Sequence, residues 1–438
     1  VGTTEPALRL LLSVFAAYPI AIAHRNFLYG KNKYVQHLYF ILTGLALGYF
    51  NYGIEILHSV CAVVFTYLTL VFIGGTAASV AIAFLFNMGY LLIGYYYAGT
   101  NEYDINWTMP QCVLVLRLIG IVFDMFDGRQ PEESLSSENK KVALKTRPSF
   151  LEFCGHMFFP ASFMVGPQFP ITRYQQFLDG KFGLKPDCVG PAVKRFLLGV
   201  LYLSIFQGLG FFVSDTLILS DEFSQYAFWK KCVFLGIWGR YTLYKYISCW
   251  LLTEGACIMF GLTYNGVDKD GNVQWNGCEN VKLSLLENTT EFNHYIQSFN
   301  INTNHWVAQY IYKRLRFMGN RFLSQAVSLL FLAVWHGFHS GYYMCFAFEF
   351  MVVYLERDIK PIINSNEKVS TFLQQPLMKI AVHIFLRLYT FVFMGWCLAP
   401  FALLTFNNYW HLYSTVYFMG FVVFVPWPVI YSPILRML

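Results

Sequence analysis

The sequence predicts an all-α integral membrane protein, and three observations predict it. Of 438 residues, 56% are hydrophobic and only 13% charged, against roughly 25% charged in soluble domains; mean hydropathy is +0.45. Apolar runs recur along the whole chain. Lys and Arg gather in alternate connections between those runs. Aromatic residues, at 19%, suit interfacial belts and tightly packed membrane bundles.

Taken in order, the apolar runs lie near 7–23, 35–50, 57–73, 76–98, 111–127, 192–214, 231–254, 322–338, 339–356, 378–400 and 411–431. At about 20 apolar residues per crossing, they read as about eleven transmembrane helices. The pair at 322–356 is short for two full spans, which implies tilt or a thinned bilayer. Stretches 150–172 and 255–264 are apolar but broken by Pro or Gly. They read as re-entrant, which requires protein or water to satisfy their backbone. No cleavable signal peptide is expected, because no basic residue precedes the first run and no clear cleavage site follows it.

Charge orients the bundle. One set of connections holds Arg25, Lys31 and Lys33; Arg129, Lys140, Lys141, Lys145 and Arg147; and Arg173, Lys181, Lys185, Lys194 and Arg195. It continues with Lys313, Arg314, Arg316 and Arg321, then Arg357, Lys360 and Lys368. Connections 51–56, 99–110 and 401–410 have neither Lys nor Arg. By the positive-inside rule the first set is cytosolic, as is the C-terminus. Residues 1–438 then form one polytopic membrane domain with cytosolic loops near 24–34, 128–150, 173–191, 265–321 and 357–377. Of two glycosylation sequons, Asn106 falls on the lumenal side and Asn288 on the cytosolic side. The net charge of +6 is scattered and gives no support to nucleic-acid binding. Ten cysteines lie dispersed without metal-ligand spacing; Cys61, Cys249, Cys257, Cys345 and Cys397 read as small core residues, and no metal site is expected.

Three segments could carry chemistry. Trp335-His336-Gly337 closes a solidly apolar run, and an ionisable side chain at bilayer depth is rare unless it faces a cavity. If 322–343 is one helix, His339, Ser340 and Tyr343 share the face of His336. A neutral imidazole there is a suitable general base; the alternative is a structural histidine bonding a neighbouring carbonyl. Upstream lies a polar island, Asn300-Ile301-Asn302-Thr303-Asn304-His305-Trp306. A carboxamide such as Asn300 can serve an oxyanion without a charge to desolvate, or it can cap the helix that follows. That helix carries Tyr310, Tyr312, Lys313, Arg314 and Arg316, either an interfacial helix or a seat for a polyanionic cosubstrate. Arg240 and Lys245, inside the run 231–254, bind phosphate or pair with Glu254 or another acid.

An Asn-centred polar segment, a basic stretch and, thirty-six residues after Asn300, an apolar helix ending in Trp-His-Gly resemble the membrane-bound O-acyltransferase family. Met164-Val165-Gly166-Pro167-Gln168-Phe169-Pro170 with Arg173-Tyr174 and Phe177 resembles the family's Gly-Pro segment. Arg240-Tyr241, Tyr244-Lys245 and Trp250 resemble its mid-chain aromatic-basic helix. The resemblance covers nearly the whole chain. The stretches Gly94-Tyr95-Tyr96-Tyr97 through Asp127-Gly128 and Ser298 through Trp306 are most similar to its lysophospholipid-acylating branch.

The resemblance implies a bundle with re-entrant and interfacial helices around a central reaction chamber. It implies an endoplasmic-reticulum enzyme that moves a fatty acyl group, polyunsaturated by expectation, from acyl-CoA to the sn-2 hydroxyl of lysophosphatidylcholine and related lysophospholipids. His336 is then the catalytic base and Asn300 its polar partner. Lys313, Arg314, Arg316, Arg240, Lys245 and Tyr310 are candidates to bind acyl-CoA. Trp335, His339, Ser340, Tyr343, Asn304 and Gln168 are candidates to line the chamber. Acyl-CoA is a cosubstrate, no cofactor is implied, and homodimerisation is left open. The rival readings are a family member with a protein, sterol or diacylglycerol acceptor, and a multi-span transporter.

Overall fold

The computed structural model describes residues 4–102, 105–182 and 187–437; Lys185 lies outside them. The chain forms helices α1 (Glu5–Ala23), α2 (Lys33–Tyr52), α3 (Ile56–Ile73), α4 (Ala77–Ala98), α5 (Thr108–Asp127), α6 (Ser137–Val142), α7 (Phe150–Met157) and α8 (Ile171–Leu178). There follow α9 (Val189–Gly210), α10 (Asp215–Ile218), α11 (Asp221–Gln225), α12 (Phe228–Phe260), α13 (Leu283–Leu286), α14 (Phe292–Ser298) and α15 (Ile301–Tyr310). The rest are α16 (Arg321–His336), α17 (Ser340–Ser365), α18 (Glu367–Leu373), α19 (Pro376–Leu403), α20 (Phe406–Thr415), α21 (Met419–Phe424) and α22 (Ser432–Met437). Among the described residues no β-strand forms. Two isolated antiparallel bridges, Val267–Val273 and Val281–Phe299, pin loops.

Local chemistry sets the boundaries. The Thr76 hydroxyl accepts from Ser79 N and opens α4. Ser149 and Glu152 form a reciprocal capping box at α7, and the Asn320 carboxamide accepts from Phe322 and Leu323 at α16. Each supplies acceptors for backbone N–H groups that a first turn leaves unbonded.

The described residues group into two compact units. The first comprises Val1–Leu201, Ile247–Asn280 and Ile301–Phe317. Its centre is α5, most of which is buried, packed among Phe40, Phe159, Tyr174, Phe177 and Phe260. The second comprises Tyr202–Tyr246, Val281–Asn300 and Met318–Leu438. Its core gathers Phe348, Trp396, Tyr413 and Phe421, with Phe348 and Trp396 ring centroids 4.3 Å apart. Along α19, Leu377, Ile384, Phe385 and Leu388 remain exposed, the apolar face a membrane helix turns to acyl chains.

Among the described residues, seven stretches are long and apolar enough to cross a membrane: Glu5–Leu28, Lys33–Ile73, Ala77–Ala98, Thr108–Asp127, Val189–Ile218, Pro376–Leu403 and Met419–Met437. The second of these holds α2 and α3, separated at Gly53 (φ +56°). Three expected spans fold as helices that fall short of that standard. In α12 the charges Arg240 and Lys245 interrupt the run, α16 has only 16 residues, and α17 carries Glu349 and Glu356.

Three expectations are corrected. Residues 255–260 are not re-entrant but continue α12, which stops before Gly261 (φ +86°). The run 411–431 is not one helix: Tyr417 and Phe418 adopt positive φ (54° and 52°), and the apolar stretch shifts to 419–437. The conditional reading of 322–343 as one helix also fails, because α16 ends at His336 and α17 begins at Ser340, in keeping with the separate runs 322–338 and 339–356. The 150–172 stretch, by contrast, is interrupted as expected, with α7 and α8 joined by a buried irregular segment. Its carbonyls find a donor the sequence reading overlooked: the buried Arg117 guanidinium donates to His156, Met157, Ser162 and Pro167 carbonyl oxygens at 2.8–3.4 Å. Of the cysteines read as core, Cys257, Cys345 and Cys397 are buried, Cys249 is half-buried and Cys61 is exposed.

Candidate active site

His336 is the last residue of α16. Gly337 follows at φ +128°, a conformation L side chains rarely adopt, so the helix stops at the histidine. The His336 Nδ1 lies 2.7 Å from the Leu332 carbonyl oxygen one turn back. A carbonyl only accepts, so Nδ1 carries a proton, and in the neutral form of the ring Nε2 is the acceptor. The helix backbone thereby selects the tautomer a general base needs.

Aromatic rings surround that imidazole. Trp335 meets it edge-on at 4.6 Å, Phe401 of α19 edge-on at 5.1 Å, and Phe346 and Tyr342 of α17 at 5.4 and 5.5 Å. One close approach makes the cluster. Gly341 N donates to the Leu404 carbonyl at 3.1 Å, and a Cβ on Gly341 would stand 1.9 Å from the Pro400 carbonyl oxygen. With no Cβ there, the first turn of α17 presses against the end of α19, and Tyr342 reaches Phe401 at 5.0 Å. The His336 side chain is partly buried within this ring cluster.

Asn300 belongs to the same unit. Its φ is +51°, the left-handed region that asparagine tolerates better than most residues. A regular N-cap has extended backbone, whereas Asn300 makes a sharp corner ahead of α15. The preceding Phe299 is held by its bridge to Val281 and by donation from its N–H to Tyr295 O at 2.8 Å. Three ring contacts connect this corner to the histidine: Phe299 to Tyr246 at 6.5 Å, Tyr246 to Phe401 at 6.4 Å, and Phe401 to His336.

The remaining candidates fall in several places. The stripe expected from His336 through Tyr343 is broken by the turn at 337–339. His339 stands before α17 with its ring 5.8 Å from Tyr342, Ser340 accepts from the Tyr409 hydroxyl at 3.1 Å, and Tyr343 is half-buried outside the ring cluster. Arg240 lies against Glu287 (3.6 Å) and the Leu286 carbonyl, under the Tyr295 ring; Glu287 also accepts from Tyr202 and Tyr244. Glu254, an expected partner of Arg240, instead holds Arg195 and the Asn280 N–H. The Lys245 ammonium sits 5.0 Å from the Tyr246 ring centre.

Gln168, Asn304, Tyr310, Lys313, Arg314 and Arg316 belong to the other unit. Gln168 is a strut, accepting from Arg117 Nε at 3.1 Å and donating to Val113 O at 2.6 Å. Asn304 is half-buried on α15. The Tyr310 hydroxyl donates to Asp124 at 2.6 Å. Arg314 grips the fully buried Asp127 with two bonds, at 2.8 and 2.5 Å. Lys313 pairs with Glu138 of α6, and its hydrogen bond holds the Glu138 carboxyl below the usual range. Of the five expected cosubstrate cations, Lys313, Arg314 and Arg240 thus already face carboxylates; Arg316 is exposed. A cleft of about 340 Å³ lined by Asn364, Gln374, Lys379 and His383 opens at the opposite ends of α17 and α19 from the histidine, and none of the expected site residues lines it.

The membrane-bound O-acyltransferase family model matches residues 92–399, a span that contains both Asn300 and His336. The chain belongs to the membrane-bound O-acyltransferase family. It is 46% identical over 445 residues to lysophospholipid acyltransferase 5 of Drosophila melanogaster, covering 98% of this chain and 88% of that protein. Identity is 42% to the Homo sapiens protein of that name, covering 97% and 88%, and 35% to that of Caenorhabditis elegans, covering 100% and 94%.

Proposed function

We propose that this chain is an acyl-CoA-dependent lysophospholipid O-acyltransferase acting on the sn-2 hydroxyl. The observation that carries the reading is the Nδ1–H to Leu332 bond, which aims an unprotonated Nε2 away from its own helix. The names of the similar proteins support the acceptor class. His336 Nε2 removes the sn-2 hydroxyl proton as that oxygen attacks the thioester carbonyl carbon. The C–S bond breaks, CoA departs as its thiolate, and the imidazolium returns the proton to sulfur. The ester product and free CoA balance the two substrates. Asn300 offers its carboxamide to the acyl carbonyl or its oxyanion, at no cost of desolvating a charge. The enclosing rings exclude water, which would otherwise compete as acceptor and hydrolyse the thioester.

The reading extends to the surroundings of the protein. By charge asymmetry the C-terminus is cytosolic, so acyl-CoA approaches from the cytosol and the lysolipid from the bilayer, in the endoplasmic-reticulum membrane. Purified protein given lysophosphatidylcholine and an acyl-CoA should release CoA thiol only when both are present. Thiol release with diacylglycerol or cholesterol but not with the lysolipid would overturn the acceptor assignment. Solute uptake into sealed vesicles without thioester consumption would overturn the enzyme.

A further inference from the structure

The α17 helix carries an acid the reaction above does not use. Tyr342, Phe346 and Glu349 are spaced by four and three residues and so share one helical face. The first two lie against the His336 ring at 5.5 and 5.4 Å. Glu349 comes next along that face, one turn after Cys345, on a helix that packs along α19, which carries Cys397. Cys397 is in turn one turn from Phe401, the ring that touches both His336 and Tyr342. Like the histidine, Glu349 is neither fully buried nor fully exposed.

Its neighbours in the same unit set it apart. Glu287 takes Arg240 and two tyrosine hydroxyls. Glu356, two turns further along α17, takes the Phe292 N–H. Asp358 takes Arg436, Ser432 and Trp427. Among the described residues, no hydrogen bond or ion pair reaches the carboxylate of Glu349. An unpaired acid among apolar side chains is costly unless something supplies its counter-charge.

We propose that Glu349 is the counter-charge for the cationic head group of the acyl acceptor, a quaternary or primary ammonium carried on a lysophospholipid. This rests on acyl transfer taking place at His336. Carboxylate and aromatic faces together are how proteins hold alkylammonium ions, and Tyr342 and Phe346 provide the rings on Glu349's own face. The reach fits as well. Seven residues of helix separate Tyr342 from Glu349, about 10 Å at 1.5 Å per residue. In the lipid, the chain from the sn-2 oxygen through the phosphate to the ammonium nitrogen extends to about 10 Å at bond lengths near 1.5 Å. A lipid whose hydroxyl lies where His336 meets Tyr342 is therefore long enough to bring its ammonium to Glu349. Glu349 would be a specificity-determining residue rather than a participant in the proton transfer.

The test compares wild type, Glu349→Gln and Glu349→Asp with one acyl-CoA and two acceptors, lysophosphatidylcholine and the cation-free lysophosphatidylglycerol. The expected result is a fall of about tenfold in the ratio of kcat/KM for choline over glycerol acceptor in Glu349→Gln, arising in KM, with a smaller fall in Glu349→Asp. An unchanged ratio overturns the proposal, as does an equal loss on both acceptors by folded protein. Should the Gln variant not fold, Glu349→Asp decides alone: its ratio must fall, and an unchanged ratio is a refutation. Wild-type protein that acylates neither acceptor would instead remove the acyltransferase reading on which this one stands.

Discussion

Substituting Gly341 by alanine tests whether the approach of α17 to α19 builds the site. A Cβ at 341 would lie 1.9 Å from the Pro400 carbonyl oxygen and 2.8 Å from that of Leu404, whereas ordinary contact begins at 3.4 Å. The two backbones must therefore part by about 1.5 Å, the difference between 1.9 and 3.4 Å. That movement strains the 3.1 Å bond from Gly341 N to Leu404 O and carries Tyr342 away from Phe401, both of which pack on His336. Overfilling a packed contact costs about 1–3 kcal/mol of stability, and a misplacement near 1 Å in a reacting constellation costs on the order of 100-fold in rate. Gly341→Ala should thus lower kcat for acyl transfer about 100-fold while the thermal unfolding midpoint drops only by several degrees. Gly89→Ala in α4, where a Cβ meets nothing within 4 Å, is the control and should leave both unchanged. Wild-type kcat in Gly341→Ala would refute the argument that this contact sets the position of the rings around His336.

Other substitutions separate backbone from chemistry. Asn300→Gly keeps a residue at ease with φ +51° but removes the carboxamide, so kcat should fall about 100- to 1,000-fold in folded protein; retained turnover would show that only the corner matters. Arg314→Met leaves the buried Asp127 carboxylate unpaired and should destabilise the protein by about 3 kcal/mol, less than a fully buried pair because Arg314 is partly exposed; an unshifted unfolding transition would contradict this. Glu138, held below its usual value by Lys313, should keep α6 docked above the ordinary glutamate value of about 4.3 and release it as pH falls through the lowered folded value. Normalised hydrogen-exchange protection of 136–142 that is already lost between pH 7 and 5 would argue against that pair.

Much of the helical pattern was legible because apolar runs and Lys/Arg asymmetry are properties of the chain itself. The ends were less so. The separate runs 322–338 and 339–356 anticipate two helices, but composition gives no sign that Gly337 adopts φ +128° and stops α16 at His336 itself. Asn300 stood out as the start of a polar island, while its left-handed backbone did not. The carboxylates that neutralise Lys313 and Arg314 sit 175 and 187 positions earlier in the chain, beyond the reach of any local pattern. Arg117 and Glu349 were missed although a charge inside an apolar run is itself a signal. Arg240 and Lys245 were noticed because aromatic residues flank them; the other two lie within smooth aliphatic or aromatic stretches.

The central claim, that His336 takes the acceptor proton through Nε2, is tested most directly by the turnover of His336→Gln, measured as CoA thiol released from acyl-CoA and lysophosphatidylcholine. Glutamine fills much of the imidazole's space and can still donate to the Leu332 carbonyl, but it cannot accept a proton. The account predicts a loss in kcat of about 100- to 10,000-fold with acyl-CoA affinity preserved; turnover within tenfold of wild type would contradict it.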